Sequence, residues 1–220
     1  MDTTAVRIGG LCGVAAALIM IPAYMVGTPD RPTSTTEAEE YYSSYSGFVT
    51  ANGVVPLLHV LFFLFFLGIL VSVLRRADRE STGLATTALA GGIVFVTLTA
   101  VGFAAEVAYP ATLLRFDDLP YDEQIAPLLL TTSSWLYHYC QVGTAVMILA
   151  TSVLVLRTGV LPRWTAAGAA LGVLALLHTW IPLVAALGGL LWIAVIGLLL
   201  AVRGASDQVE RSAVSPRLDR

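Results

Sequence analysis

The run from Trp164 to Val202 contains no Asp, Glu, Lys or Arg. A helix needs about 20 apolar residues to cross a hydrocarbon core about 30 Å thick. This run is too long for one crossing and long enough for two. His178-Thr179-Trp180-Ile181-Pro182 divides it, because Pro suits the first turn of a new helix and not a helix interior. Four further apolar runs complete a set of six predicted spans: 7–27, 52–74, 83–108, 128–156, 164–180 and 182–202. The expected fold is all-α, a polytopic bundle of six transmembrane helices.

Composition agrees. Charged residues make up 12% of the chain, against about 25% in a soluble domain, and the mean hydropathy is +0.80. Too few charges exist to cover a water-facing surface, so the lipid bilayer is the expected partner. The first apolar run is longer than a signal-peptide core and lacks a clear cleavage site, so it is read as a mature span. Cys12 and Cys140 both fall inside apolar segments and form no CxxC; they read as buried small residues.

Every basic residue is Arg. Arg7, Arg75, Arg76, Arg79, Arg157, Arg163, Arg203, Arg211, Arg217 and Arg220 fall on one side of a six-span chain, and Arg31 and Arg115 on the other. Basic residues collect on the cytoplasmic side, so both termini are predicted cytoplasmic. The outer connections are acidic instead, with Asp30, Glu37, Glu39 and Glu40 in the first and Asp117, Asp118, Asp122 and Glu123 in the second. In the first, Thr36 and Glu39 have the spacing of a capping box. Tyr41, Tyr45 and Phe48 then share a helical face, which predicts a short interfacial helix with aromatics at the headgroup level. Its roles are anchoring or covering something below. The tail, 204–220, is polar and expected to be disordered.

Polar residues within the spans carry the functional reading. His59, His138 and His178 lie in the second, fourth and fifth spans, and Glu106 in the third. A charged group at the bilayer centre costs about 2.5–3.5 kcal/mol on insertion scales, so it faces the bundle interior and finds a partner. The topology puts all four in the outer half of the membrane, on four different helices. Three of them have polar company on their own helical face: Asn52 with His59, Tyr109 with Glu106, and Ser134 and Gln141 with His138. Tyr137 is a candidate wall of the same interior. A His/Glu cluster or cavity is therefore expected, either structural or binding a small ligand.

Two other classes compete. Three His and one Glu are suitable ligands for a divalent metal such as zinc, which would make a membrane hydrolase, although no HExxH spacing is present. A transporter or a proton or redox carrier would use the same groups as a relay. Haem is disfavoured, because the histidines lie at different depths and no CxxCH is present. The sequence holds no P-loop, GxSxG or dinucleotide fingerprint, and no basic aromatic stripe for nucleic acid. Gly168 and Gly172, at G-x-x-x-G spacing, predict a close helix contact, and a homo-oligomer stays open.

The segments FVTANGVVPLLHVLFF, GFAAEVAYPATLLRF and SSWLYHYCQVGTA resemble those of small bacterial six-span membrane proteins classed as a domain of unknown function. The resemblance spans Arg7 to Arg203. It implies the fold and a location in the bacterial plasma membrane, and assigns no catalytic residue.

Overall fold

A computed structural model describes residues 2–23, 34–42, 45–78, 83–116, 122 and 124–214. The elements are α1 (Thr3–Ile19), α2 (Thr35–Tyr41), α3 (Tyr45–Val49), a π turn (Thr50–Val54), α4 (Val55–Ala77), α5 (Leu84–Arg115), α6 (Ile125–Thr158), a 3₁₀ helix (Arg163–Gly168), α7 (Ala169–Ala175) and α8 (Pro182–Val214). The described residues contain no strand. Among the described residues five stretches are long and apolar enough to cross a membrane: Thr3–Ala23, Gly47–Ala77, Leu84–Arg115, Ile125–Thr158 and Pro182–Arg203.

Local chemistry sets the helix limits. Asp2 caps α1 by accepting from the Thr4 amide at 3.0 Å, as an N-cap carboxylate does. Gly159 closes α6 in the left-handed region, at φ 64°, where a side chain would be strained. On α4, Pro56, His59, Phe63, Phe66, Leu70 and Leu74 recur at helical spacing and are buried. The opposite face, with Leu57, Leu61 and Phe65, is equally apolar and exposed. A helix apolar on every side belongs in an apolar medium.

The core joins α1, α4, α5, α6 and α8 around Phe63, Phe66, Leu70, Met147, Ile148, Ile193 and Ile196. Two pairs of glycines set the closest backbone approaches. A Cβ on Gly91 would lie 2.7 Å from the Gly143 carbonyl, and one on Gly143 2.6 Å from the Gly91 carbonyl, so α5 and α6 meet main chain to main chain. Gly10 and Gly197 do the same for α1 and α8. Gly168 and Gly172 serve otherwise than predicted. Gly168 makes room for the Trp192 ring and Gly172 for Ile148 and Leu149, so they admit side chains of two different helices.

Several expectations need correction. The predicted fifth span, 164–180, is not one long helix. It is a 3₁₀ helix, the short α7, and turns closed by bonds such as Leu177 N to Leu174 O and Trp180 N to Leu177 O. The third span does not stop before Pro110; α5 carries Pro110 inside it and runs on to Arg115. Helix α2 starts at Thr35, and Ser34 Oγ, in place of Thr36, accepts from the Glu37 amide at 3.2 Å. The side chains of Glu39, Tyr41 and Tyr45 lie outside the described residues. Phe48 turns inward instead of toward headgroups. With Tyr42 it packs on Tyr109, Ala126 and Leu130, because the ends of α5 and α6 offer an apolar protein surface there. The polar segment from Gly204, expected to be disordered, continues α8 to Val214; extending an existing helix avoids the cost of nucleation. Residues 24–33, 79–82, 117–121, 123 and 215–220, with their Asp30, Arg31, Arg79, Asp117, Asp118 and Glu123, lie outside the described residues.

Candidate functional site: a polar cavity between five segments

A cavity of about 200 Å³ lies among α1, the π turn, α5, α6 and the start of α8. Its polar lining includes Asn52, Glu106, Ser134, Tyr137, His138, Gln141 and His178. Phe95, Phe103, Leu190 and Met20 supply apolar wall. Thr179, Pro182 and Leu183 line it and are also exposed, and so mark its mouth.

Glu106 is 1% exposed. The Tyr137 hydroxyl donates to its Oε2 at 2.6 Å, a short hydrogen bond. Tyr137 reaches it because Gly102 has no side chain: a Cβ there would lie 2.6 Å from Tyr137 Cε1. The Phe103 ring meets Tyr137 edge-on at 5.2 Å, which fixes the phenol further.

His138 Nδ1 lies 2.7 Å from the Ser134 carbonyl. A carbonyl only accepts, so Nδ1 carries the proton, and in the neutral ring Nε2 is an acceptor. The His178 ring stands edge-on to His138 with centroids 4.8 Å apart. Trp135 borders His138 from the exposed side at 5.5 Å.

Asn52 and Gln141 are 1% and 5% exposed. Gln141 Nε2 donates to Cys140 Sγ at 3.7 Å. Gln141 Oε1 and Asn52 Nδ2 have no hydrogen-bond partner among the described residues. Buried polar atoms are normally satisfied, and one left alone costs about 1–3 kcal/mol.

Three of the four residues expected to cluster, Glu106, His138 and His178, thus line one cavity together with Asn52, Ser134, Tyr137 and Gln141. His59 does not. It is fully buried, with Nδ1 2.9 Å from the Ala16 carbonyl, in the last turn of α1 where carbonyls lose their helical donors. Its ring stacks on Phe63 and meets the edge of Phe95, and Phe95 is the wall between it and the cavity. His59 ties α4 to α1. Tyr109 also lies elsewhere, in a separate cluster beside Tyr42, where its hydroxyl accepts from the Asp122 amide. Among the described residues no three His, Cys, Asp or Glu come together as a metal-ligand set.

One organising feature is written in the sequence and missed by a reading of spans and polar faces. Asn52, Glu106 and His178 each stand four residues before a proline: Pro56, Pro110 and Pro182. Proline has no N–H, so none of the three carbonyls can receive the usual i+4 amide bond. The chain answers locally. Around Asn52 it widens into the π turn, where the Val55 amide reaches back to Thr50. At Glu106 the Tyr42 hydroxyl donates to the carbonyl at 3.4 Å. At His178 the helical segment ends and α8 begins. Irregular backbone thus coincides with the polar lining at three places, a pattern frequent at functional sites.

No family model, curated protein or solved structure matches the chain.

Proposed function

We propose that the chain is a membrane protein of the bacterial plasma membrane, with six crossings and both termini cytoplasmic, whose outer-half cavity binds a small molecule. The observation carrying the binding is the cavity itself: about 200 Å³ with Glu106, Asn52 and Gln141 buried in its wall. A cavity near 150 Å³ holds a benzene-sized ligand, so the ligand has about ten non-hydrogen atoms or fewer.

Supporting the sixth crossing, the Arg203 guanidinium donates to the Val160 carbonyl, and His178 at the other end of this segment meets His138. The stretch 160–181 therefore runs beside 182–203 over the same height. Supporting the orientation, Arg75, Arg76, Arg157 and Arg203 fall at the ends of α4, α6 and the apolar part of α8, opposite the cavity mouth. Trp135 and Trp180, 58% and 75% exposed, flank that mouth as interfacial aromatics do.

The test is a panel of ring-sized fragments added to the purified protein, with melting temperature as readout. Binding to the wild type is expected to be lost in Ala186→Phe, which fills the cavity from α8. Fragments that act equally on both proteins would contradict the cavity as the site.

A second reading, a metal-dependent hydrolase, would need His138, His178 and Glu106, which line one cavity but do not stand together as a ligand set among the described residues, to close on the ion. It would use those three residues without His59. Elemental analysis of the purified protein, with and without His138→Gln, tests it, and visible absorption tests for haem. A proton or redox carrier would require the same residues to titrate or conduct in turn, and proton flux in vesicles decides it.

A further inference from the structure

We infer that the ligand of this cavity is an uncharged molecule carrying a primary amide on a small apolar body. This rests on the small-molecule reading above and specifies its chemistry. Three side chains from three segments carry it. Asn52 on the π turn, Thr99 on α5 and Gln141 on α6 line the cavity, and are 1%, 4% and 5% exposed. Asn52 Nδ2, Thr99 Oγ1 and Gln141 Oε1 are buried without a hydrogen-bond partner among the described residues. Thr99 and Gln141 both border Cys140 Sγ, so their oxygens lie at one corner of the wall.

The other polar groups of the wall are engaged within the protein or stand within reach of water. The Tyr137 hydroxyl bonds to Glu106, which has a further interaction of its own. Cys140 Sγ donates to the Tyr137 carbonyl at 3.1 Å, and Thr144 Oγ1 to the Cys140 carbonyl at 3.4 Å. Ser134 and His138 are partly exposed and Thr179 is exposed. His178 is engaged with His138 and by a further interaction. Its Nδ1 is buried, and an amide, having both a donor and an acceptor, suits that nitrogen in either tautomer.

The groups left over are one N–H donor and two oxygens, all uncharged. A primary amide matches them: its carbonyl accepts from Asn52 Nδ2, and its two N–H groups donate to Thr99 Oγ1 and Gln141 Oε1. An ion of either sign fits less well. Among the described residues no Arg or Lys lines the cavity, so an anion meets no counter-charge. A cation would have to compete for Glu106 with the partners it already has. Burying an ion against neutral groups alone is costly. Phe95, Phe103 and Leu190 line the remaining wall and suit an apolar ring. Specificity follows from the same groups, because a ligand lacking the N–H donors leaves buried acceptors unpaired.

The experiment uses four probes of nearly one shape: benzamide, acetophenone, benzoate and benzamidinium. Acetophenone keeps the carbonyl and lacks the N–H donors, and the two ions carry opposite charges. Each is titrated into the purified full-length protein at neutral pH, with melting temperature and calorimetry as readouts, and Ala186→Phe as the control for detergent effects. In wild type, benzamide is expected to bind at least about tenfold more tightly than acetophenone or either ion. Gln141→Leu and Thr99→Val should each weaken benzamide and leave acetophenone nearly unchanged, whereas Asn52→Leu should weaken both. If acetophenone binds wild type as tightly as benzamide, or either ion binds best, the amide inference is overturned and the small-molecule reading stands. The same holds if Gln141→Leu and Thr99→Val weaken amide and ketone equally. If no probe acts on wild type differently from Ala186→Phe, both are overturned. The wild-type ranking decides even if a variant fails to fold.

Discussion

The Tyr42 hydroxyl lies 3.4 Å from the carbonyl of Glu106, the carbonyl whose helical donor Pro110 removes. A loop residue thus repairs a defect that a proline introduces into α5, one turn from the residue that places a carboxylate in the cavity. The Tyr42 cluster and the site are joined through a backbone group.

That relationship predicts a coupling. Tyr42→Phe should cost about 1 kcal/mol, the usual net worth of a buried hydrogen bond. In a Pro110→Ala background the amide of residue 110 can bond to the Glu106 carbonyl, and the same substitution should cost measurably less. A double-mutant cycle of unfolding free energies checks it. Equal costs in both backgrounds would separate Tyr42 from the proline.

Glu106 and Tyr137 form a second pair. Tyr137→Phe removes the 2.6 Å bond to Oε2 and takes a donor from a buried carboxylate. A loss of about 1.5–3 kcal/mol is expected. Glu106→Gln should be tolerated better than Glu106→Ala, because Gln keeps the volume and can still bond to Tyr137. Equal melting temperatures for wild type and both Glu106 variants would place that side chain outside the buried interior.

The glycine contacts predict opposite outcomes for one substitution. Gly91→Ala would drive a methyl to within 2.7 Å of the Gly143 carbonyl, where the nearest atoms are backbone. Overpacking of this kind costs about 1–3 kcal/mol. Gly68→Ala meets nothing within 4 Å and should be neutral or stabilising by up to about 1 kcal/mol, the helix penalty of glycine. Denaturant unfolding in detergent distinguishes them, and a neutral Gly91→Ala would contradict the main-chain contact of α5 with α6.

Much of this architecture is legible in the amino-acid sequence. Five apolar runs become the five long helices, with ends displaced by a few residues, because lipid imposes length and apolarity on a crossing segment. The run 164–180 misleads: it has the composition of a helix, yet its Gly, Ala and short turns let it follow 3₁₀ geometry, which hydropathy does not distinguish. Glu106, His138 and His178 reach one cavity because span order and direction fix depth. His59 is turned away from the cavity: its ring packs on Phe63 and Phe95 and its Nδ1 meets the Ala16 carbonyl, packing that no spacing rule gives. The glycines that matter, Gly91 and Gly143, lie on different helices and pair only in three dimensions. The prolines four residues after Asn52, Glu106 and His178 are readable in the chain, and show where backbone regularity fails.

Orientation has its own prediction. Reporter fusions at Arg79, Arg163 and the C-terminus should all report cytoplasm, since Arg collects there. An outward signal at Arg163 alone would show that 160–181 fails to cross.

A cavity open to the outer side is tested most directly by labelling Ser134→Cys in a Cys12→Ala, Cys140→Ala background. Ser134 lines the cavity and is partly exposed. A small, membrane-impermeant thiol reagent is added to intact cells. The predicted result is labelling from outside, and none when Ala186→Phe is added. Labelling seen only after the cells are opened, or labelling that Ala186→Phe leaves unchanged, would contradict an outward-facing cavity at this place in the bundle.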